Sequence, residues 1–171
     1  VEWDARTAIL EMKDAGYTHW KQMEWIGFYF QFLCEKMLSV MTILGPKFDR
    51  VEFDGFIEIP WDFKVHPNHD AQGRESDEII ANDLSATAQA IEKFGSAGLI
   101  LALGEAHFND KDRSFQLWHQ ELKGGLSEFE KERIERKARS RLRKTSFRLE
   151  KIALILFDGL GFQRLHTFQE G

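Results

Sequence analysis

The chain has a single cysteine, Cys34, among 171 residues. It cannot form an internal disulfide or supply a cysteine-rich zinc site, so disulfide scaffolds and zinc fingers are excluded. Prolines number three, and there is no Pro/Gly/Ser-rich tract, internal repeat or low-complexity segment. Nothing marks a domain boundary, and a single domain over residues 1–171 is expected. No apolar run approaches the roughly 18 residues of a spanning helix, and no signal-peptide pattern opens the sequence. A cytoplasmic protein without a membrane partner is therefore expected, while an opening on Val1 rather than Met is compatible with trimming at the termini. What is present is apolar and aromatic: 43% hydrophobic residues, with 15 Phe and 5 Trp. Such a chain can offset its ordering entropy by burial, which excludes disorder as its main state.

The net charge of -5 argues against a polyanion-binding protein until it is resolved along the chain. From Lys131 to Lys151 there are ten Lys or Arg against three Glu, leaving 13 basic and 25 acidic residues elsewhere. That asymmetry predicts a basic docking face on an otherwise acidic body.

Periodicity then orders the elements. Asp4 is placed to cap a first short helix ended by Gly16, and Thr18 to cap a second. In the second, Met23, Gly27, Phe30, Cys34, Met37 and Met41 recur at helical spacing as an inward stripe, stopped by Gly45-Pro46. The stretch VEFDGFIEIPWDFKV, 51–65, reads as two strands around a tight turn, with Pro60 breaking the ladder between them. A helix is expected over Glu78 to Phe94, with Ile80, Leu84, Ala88 and Ile91 inward and Gly95 at its end. LILAL, 99–103, reads as a buried strand. A helix from about Asp112 to Lys123 would bury Phe115, Trp118 and Leu122. Ser127 and Glu130 form a capping box for a basic helix of roughly 128–144, and IALILF, 152–157, reads as a second buried strand. The sum is an α/β protein with a mixed central sheet flanked by helices.

Four acid-x-Lys triplets occur: Glu11/Lys13, Asp62/Lys64, Glu121/Lys123 and Glu135/Lys137. Three fall on predicted helices, where residues i and i+2 point about 200° apart. Only Asp62 and Lys64 lie on a predicted strand, which puts an acid and an amine on one face about 7 Å apart. Asp54, one strand upstream, is close enough to bring its carboxylate across to Asp62. Two converging carboxylates repel, and a hard divalent cation, most simply Mg²⁺, relieves that repulsion. Lys64 cannot ligate the ion while protonated, but it can orient a water and stabilise charge on phosphorus.

The order of helix, FDGFIE, PWDFK, helix and buried strand resembles the PD-(D/E)XK nuclease superfamily, and within it the type II restriction endonucleases. Asp54 matches that family's first motif acid, and Asp62 with Lys64 its triplet, although Phe53 stands where the pattern has Pro. The resemblance implies a restriction-endonuclease-like core, Mg²⁺ at the paired acids, and phosphodiester hydrolysis to 5′-phosphate and 3′-hydroxyl ends. It also implies a further acid from the first core helix. Glu24 is the candidate, bordering the Met23/Gly27/Phe30 stripe. Glu35 follows on the same side, and Glu58 is a weaker spare ligand.

Arg136, Lys137, Arg139, Arg141, Arg143 and Lys144 surround a thin apolar line of Ile134, Ala138 and Leu142, so these cations are expected to meet DNA phosphates. Arg164 and Gln169 are candidate base readers. His66 continues the Asp62/Lys64 face, His69-Asp70 lies in a loop, and His107 follows the 99–103 strand. Together these readings predict a Mg²⁺-dependent, sequence-specific endonuclease acting on double-stranded DNA, as a homodimer suited to palindromes. The rivals are a structure-specific nuclease, such as a junction resolvase or repair enzyme, and a non-catalytic nucleic-acid-binding module.

Overall fold

The computed structural model describes residues 1–38, 42–43, 45–48, 50–76 and 84–163. Along the chain run β1 (Glu2–Asp4), α1 (Ala5–Asp14), a 3-10 turn (Thr18–Lys21), α2 (Trp25–Met37), β2 (Thr42–Ile43), β3 (Lys47–Phe48) and β4 (Val51–Glu52). There follow β5 (Gly55–Ile57), β6 (Ile59–Pro67), α3 (Leu84–Phe94), β7 (Ser96–His107), α4 (Ser114–Leu122), α5 (Glu128–Glu135), β8 (Ser146–Asp158) and α6 (Gly159–Gln163). Six strands form a sheet in the order β1-β8-β7-β6-β5-β2, and β3 pairs with β4 beside it. Only β6 and β7 run parallel in the main sheet, joined through α3, so the protein is α/β with a mixed central sheet flanked by helices.

Alternation along β7 divides the core. Ile100 and Ala102 face a cluster containing Trp3, Ile9, Met12, Trp25, Phe30 and Phe63, which is built on α1 and α2 and joined by Phe115 of α4. Ala97, of opposite parity, packs with Ala86 and Ala90 of α3 and with Phe53. Among the described residues no helix is long and apolar enough to cross a membrane.

Several expected boundaries move. Asp4 does cap α1, accepting hydrogen bonds from the Thr7 N–H and hydroxyl at 2.9 Å each. Thr18, however, opens only the 3-10 turn. Gln22 is extended, and α2 starts at Trp25, whose buried indole N–H donates to the Lys144 carbonyl at 2.9 Å. Phe30 and Cys34 of the expected stripe are buried, but Met37 is 75% exposed and Gly27 is exposed, while Met41 lies outside the described residues. In the 51–65 hairpin the turn is Glu58 alone, at φ 58°, between paired Ile57 and Ile59. Pro60 lies within β6 opposite Phe56, where its missing N–H is tolerated near a strand end. In α3 the inward residues are Ala86 and Ala90 rather than Ala88, and Ile80 falls outside the described residues, as do Arg164 and Gln169.

The largest changes are at the C-terminal end. The basic helix stops at Glu135. Lys137 is left-handed at φ 53°, and the Lys137 and Ala138 N–H groups close on the Ile134 and Arg133 carbonyls. Continuing it to 144 would stack Lys137 on Arg141 and Arg139 on Arg143, like charges one turn apart. The 152–157 run is a strand, but it is not covered on both faces. β1 pairs only Ser146 to Arg148, and Ile152, Leu154 and Leu156 farther along are 49, 66 and 64% exposed.

Candidate active site

Residues Ile59 to Trp61 of β6 pair with β5, whereas Trp61 to Pro67 pair with β7. Beyond Trp61 the outer edge of β6 therefore has no strand beside it among the described residues. Gly98 of β7 lets the chain pack tightly at this fork, because a Cβ there would fall 2.2 Å from the Trp61 indole. A side chain takes the place of the missing strand: Asp54 Oδ2 accepts a hydrogen bond from the Phe63 N–H at 2.7 Å. Asp54 is thus fixed to the backbone between Asp62 and Lys64. On β6 itself, Lys64 Nζ lies 3.7 Å from Asp62 Oδ2, with both side chains mostly buried. Asp54, Asp62 and Lys64 come together at one open strand edge, as the strand period and the hairpin predict.

The electrostatics of the cluster are unfavourable when it stands alone. Burial pushes the Asp54 carboxyl up to about 6; the Phe63 N–H opposes this, Asp62 and Glu35 add to it, and Lys64 offsets part. Burial also raises Asp62, against the pull of Lys64. The nearby Cys34 thiol is pushed up to about 12 by burial and by Asp54 and Glu35, which rules it out as a thiolate nucleophile at neutral pH. Between its ordinary value of 3.8 and about 6, the folded chain holds a proton on Asp54 that the unfolded chain has released, so stability falls as pH rises through that window. Asp54→Asn is therefore expected to stabilise the metal-free protein by about 1–3 kcal/mol above pH 6, and by progressively less below it until the gain vanishes near pH 4. Thermal melts in EDTA across this range check it. A variant less stable than wild type at pH 8 would show that the carboxylate supports the fold.

A cavity of 410 Å³ opens at this edge, lined by Asp54 and Lys64 together with Glu24, Gly27 and Gln31 of the α2 region. Glu24 and Gln31 thus share the cavity with Asp54 and Lys64, as the helical spacing of α2 allows, while Asp62 is not among its lining residues. The Glu24 carboxylate itself is engaged at the mouth, where Oε2 accepts from Lys144 Nζ at 2.6 Å. Glu35, one turn beyond Gln31, accepts from Gln31 Nε2 at 3.1 Å and from the Tyr17 hydroxyl at 3.2 Å, and it is the helix acid whose field reaches Asp54. Gln31 was not among the expected site residues, although Glu24, Phe28, Gln31 and Glu35 recur at helical spacing along one flank of α2. Glu58 occupies the hairpin turn and takes no part in the cavity lining.

The other expected residues separate. His66 Nε2 lies 2.6 Å from the Ser76 carbonyl and pins the loop that follows β6. His69 pairs with Glu105 at 3.1 Å, and Asp70 holds Arg74, so this loop is internally ordered. Arg136, Lys137, Arg139 and Arg141 are exposed in the turn and extended chain after α5. Arg143 is not available to a ligand. It is buried and donates to Glu130 at 3.1 Å, alongside Arg133 at 2.8 Å.

Among the described residues no group of three or more His, Cys, Asp and Glu side chains is arranged around a metal position. The paired carboxylates still suit Mg²⁺, which commonly takes one or two carboxylates and fills its remaining positions with water and substrate phosphate. Burial raises the Asp54 carboxyl, Asp62 adds to the rise and Lys64 offsets only part of it, so a cation at this pair would relieve the remainder. No family model matches the chain, and no curated protein or solved structure matches it.

Proposed function

We propose that this protein is a Mg²⁺-dependent endonuclease that cuts double-stranded DNA in the manner of the type II restriction enzymes, within a restriction-endonuclease-like core. One observation carries this reading: Asp54 is hydrogen-bonded to the β6 backbone between Asp62 and Lys64, at an open strand edge lining a cavity. A solvated surface hairpin has no reason to bury two acids and a lysine together against their charge.

In this mechanism Asp54 and Asp62 would hold the ion, which when bound would neutralise phosphate charge and acidify water. Lys64, held beside Asp62, orients the attacking water and stabilises the negative charge that builds on the phosphoryl oxygens. The products carry 5′-phosphate and 3′-hydroxyl ends. Glu24 stands at the cavity mouth and completes the acidic set. Arg136, Lys137, Arg139 and Arg141 hold the duplex by its phosphates, from an extended segment rather than from a helix face.

Sequence-specific cutting is favoured over a structural target by the ordered loop after β6. Its Asp70–Arg74 pair, the His69–Glu75 bridge and the His66 anchor hold it in one shape beside the site. Such a loop can present polar edges to a groove more selectively than a flat basic face. A homodimer in the cytoplasm would cut both strands of a palindrome through two related sites.

The test is incubation with plasmid DNA and Mg²⁺. Discrete fragments are expected, with none in EDTA. A smear or cutting of branched junctions alone would replace sequence specificity by structure specificity, and binding without any cutting would leave a non-catalytic module.

A further inference from the structure

Three cavities meet at Glu24. The first is the 410 Å³ cavity holding Asp54 and Lys64. A second, of 470 Å³, runs from Pro67 along the His69–Gln72 loop to Arg141. A third, of 700 Å³, lies between Lys21 and the turn at Lys123 to Ser127. Glu24 lines all three, and Lys144 lines the first two. Cations are spread along the trough they form: Lys21, Lys64, Lys123, Arg141 and Lys144. Its acids are the site residue Asp54, Asp70 occupied by Arg74, and Glu24 at the crossing point.

The Glu24–Lys144 pair at that crossing is unequal. Lys144 is held on the protein side, its carbonyl bonded to the Trp25 indole and its side chain only 25% exposed. Glu24 is 65% exposed and makes no capping bond to α2. A fixed cation therefore faces an exchangeable anion, in an ion pair of a kind worth only about 0–1 kcal/mol. Gly27 also lines the first cavity, and a Cβ there would meet nothing within 4 Å. A glycine inside a helix costs about 1 kcal/mol relative to alanine, and no neighbouring atom requires this one. Its effect is to leave open space in the cavity that Lys64 also lines, where another backbone can approach.

We propose that Lys144 is a phosphate ligand of the cutting site and that Glu24 occupies it in the free protein as a substrate mimic. A phosphodiester of a strand lying over Gly27 displaces the Glu24 carboxylate and takes the Lys144 ammonium. The carboxylate is thereby released beside the Asp54–Lys64 cavity only when substrate is present. This rests on the nuclease reading, since it takes the occupant to be a nucleic-acid strand.

The experiment is fluorescence anisotropy of a labelled DNA duplex in EDTA, so that no cutting is involved, at several salt concentrations. Glu24→Gln is expected to tighten binding about three- to fivefold, the amount released by freeing one partly exposed ion pair. Glu92→Gln, an exposed acid on α3, controls for the general loss of negative charge. Lys144→Ala is expected to weaken binding and to lower the salt slope by about 0.9, one phosphate contact. In the Lys144→Ala background, Glu24→Gln should then have no effect beyond that of Glu92→Gln. The proposal is overturned if Glu24→Gln binds no more tightly than Glu92→Gln, or if its gain survives in the Lys144→Ala background. Wild-type protein that binds no duplex at all would instead sink the nucleic-acid reading itself.

Discussion

Lys64→Ala is expected to bind duplex DNA in Ca²⁺ almost as wild type does, and to cut it in Mg²⁺ about 10²–10⁴ times more slowly. Asp62 and Lys64 project from one face of β6, and the ammonium sits 3.7 Å from the carboxylate it accompanies. An amine so placed adds little to the capture of a long polyanion, because it is one cation among the several along the trough. Its charge matters most when negative charge develops on phosphorus, so its removal raises the barrier far more than it weakens the ground-state complex. Asp62→Asn should lose cutting as well, but through loss of the ion, with a raised Mg²⁺ requirement that Lys64→Ala does not share. Arg139→Ala combined with Arg141→Ala should do the reverse of Lys64→Ala. These cations are exposed after α5, and their loss should weaken binding and lower the salt slope by roughly 1.8, at about 0.9 per phosphate. Wild-type cutting by Lys64→Ala would remove Lys64 from the chemistry, and an unchanged salt slope in the double variant would place the duplex on another surface.

The core of the candidate site was legible because its geometry depends on local periods. A strand of period two puts Asp62 and Lys64 together, and a short hairpin returns Asp54 to their side. What the sequence could not show depends on contacts across long separations. Lys144 meets Glu24 across 120 positions and Arg143 meets Glu130 across 13, and neither pairing leaves a periodic trace. The basic run shows the second difficulty. Ile134, Ala138 and Leu142 have helical spacing, yet all three are exposed, because the left-handed Lys137 ends the helix before the line can turn inward. Likewise the apolar run of β8 reads as a buried strand, but burial is set by where a strand lies in the sheet. Beyond its short pairing with β1, β8 leaves Ile152, Leu154 and Leu156 exposed. The start of α2 differs from the expected one for a local reason: Thr18 begins a 3-10 turn that extended Gln22 terminates before Glu24.

Glu130→Ala is expected to destabilise the protein by about 3–5 kcal/mol at neutral pH, because it strips the common partner from two arginines with little access to water. Glu130 is 2% exposed; Arg133 approaches one carboxylate oxygen at 2.8 Å and Arg143 the other at 3.1 Å. Burial pushes the Glu130 carboxyl up, but the hydrogen bonds and charges of the two arginines outweigh it and hold the group below the usual carboxylate range. For a carboxyl lowered in this way, the stabilisation is present above its unfolded value of 4.5 and is lost as pH falls through the folded one. The difference in melting temperature between wild type and variant should accordingly shrink in acid. The same contact ties the chain after α5 back to α5, and the next residue is Lys144, whose carbonyl meets the Trp25 indole. Arg143 therefore acts by holding that segment in place. Arg143→Met should lower the melting temperature yet leave the salt slope of DNA binding at its wild-type value, whereas Arg141→Ala should reduce the slope with no loss of stability. If Arg143→Met lowers the slope by a full phosphate contact while melting normally, the Glu130 pair does not hold Arg143 in solution and its guanidinium belongs to the DNA surface.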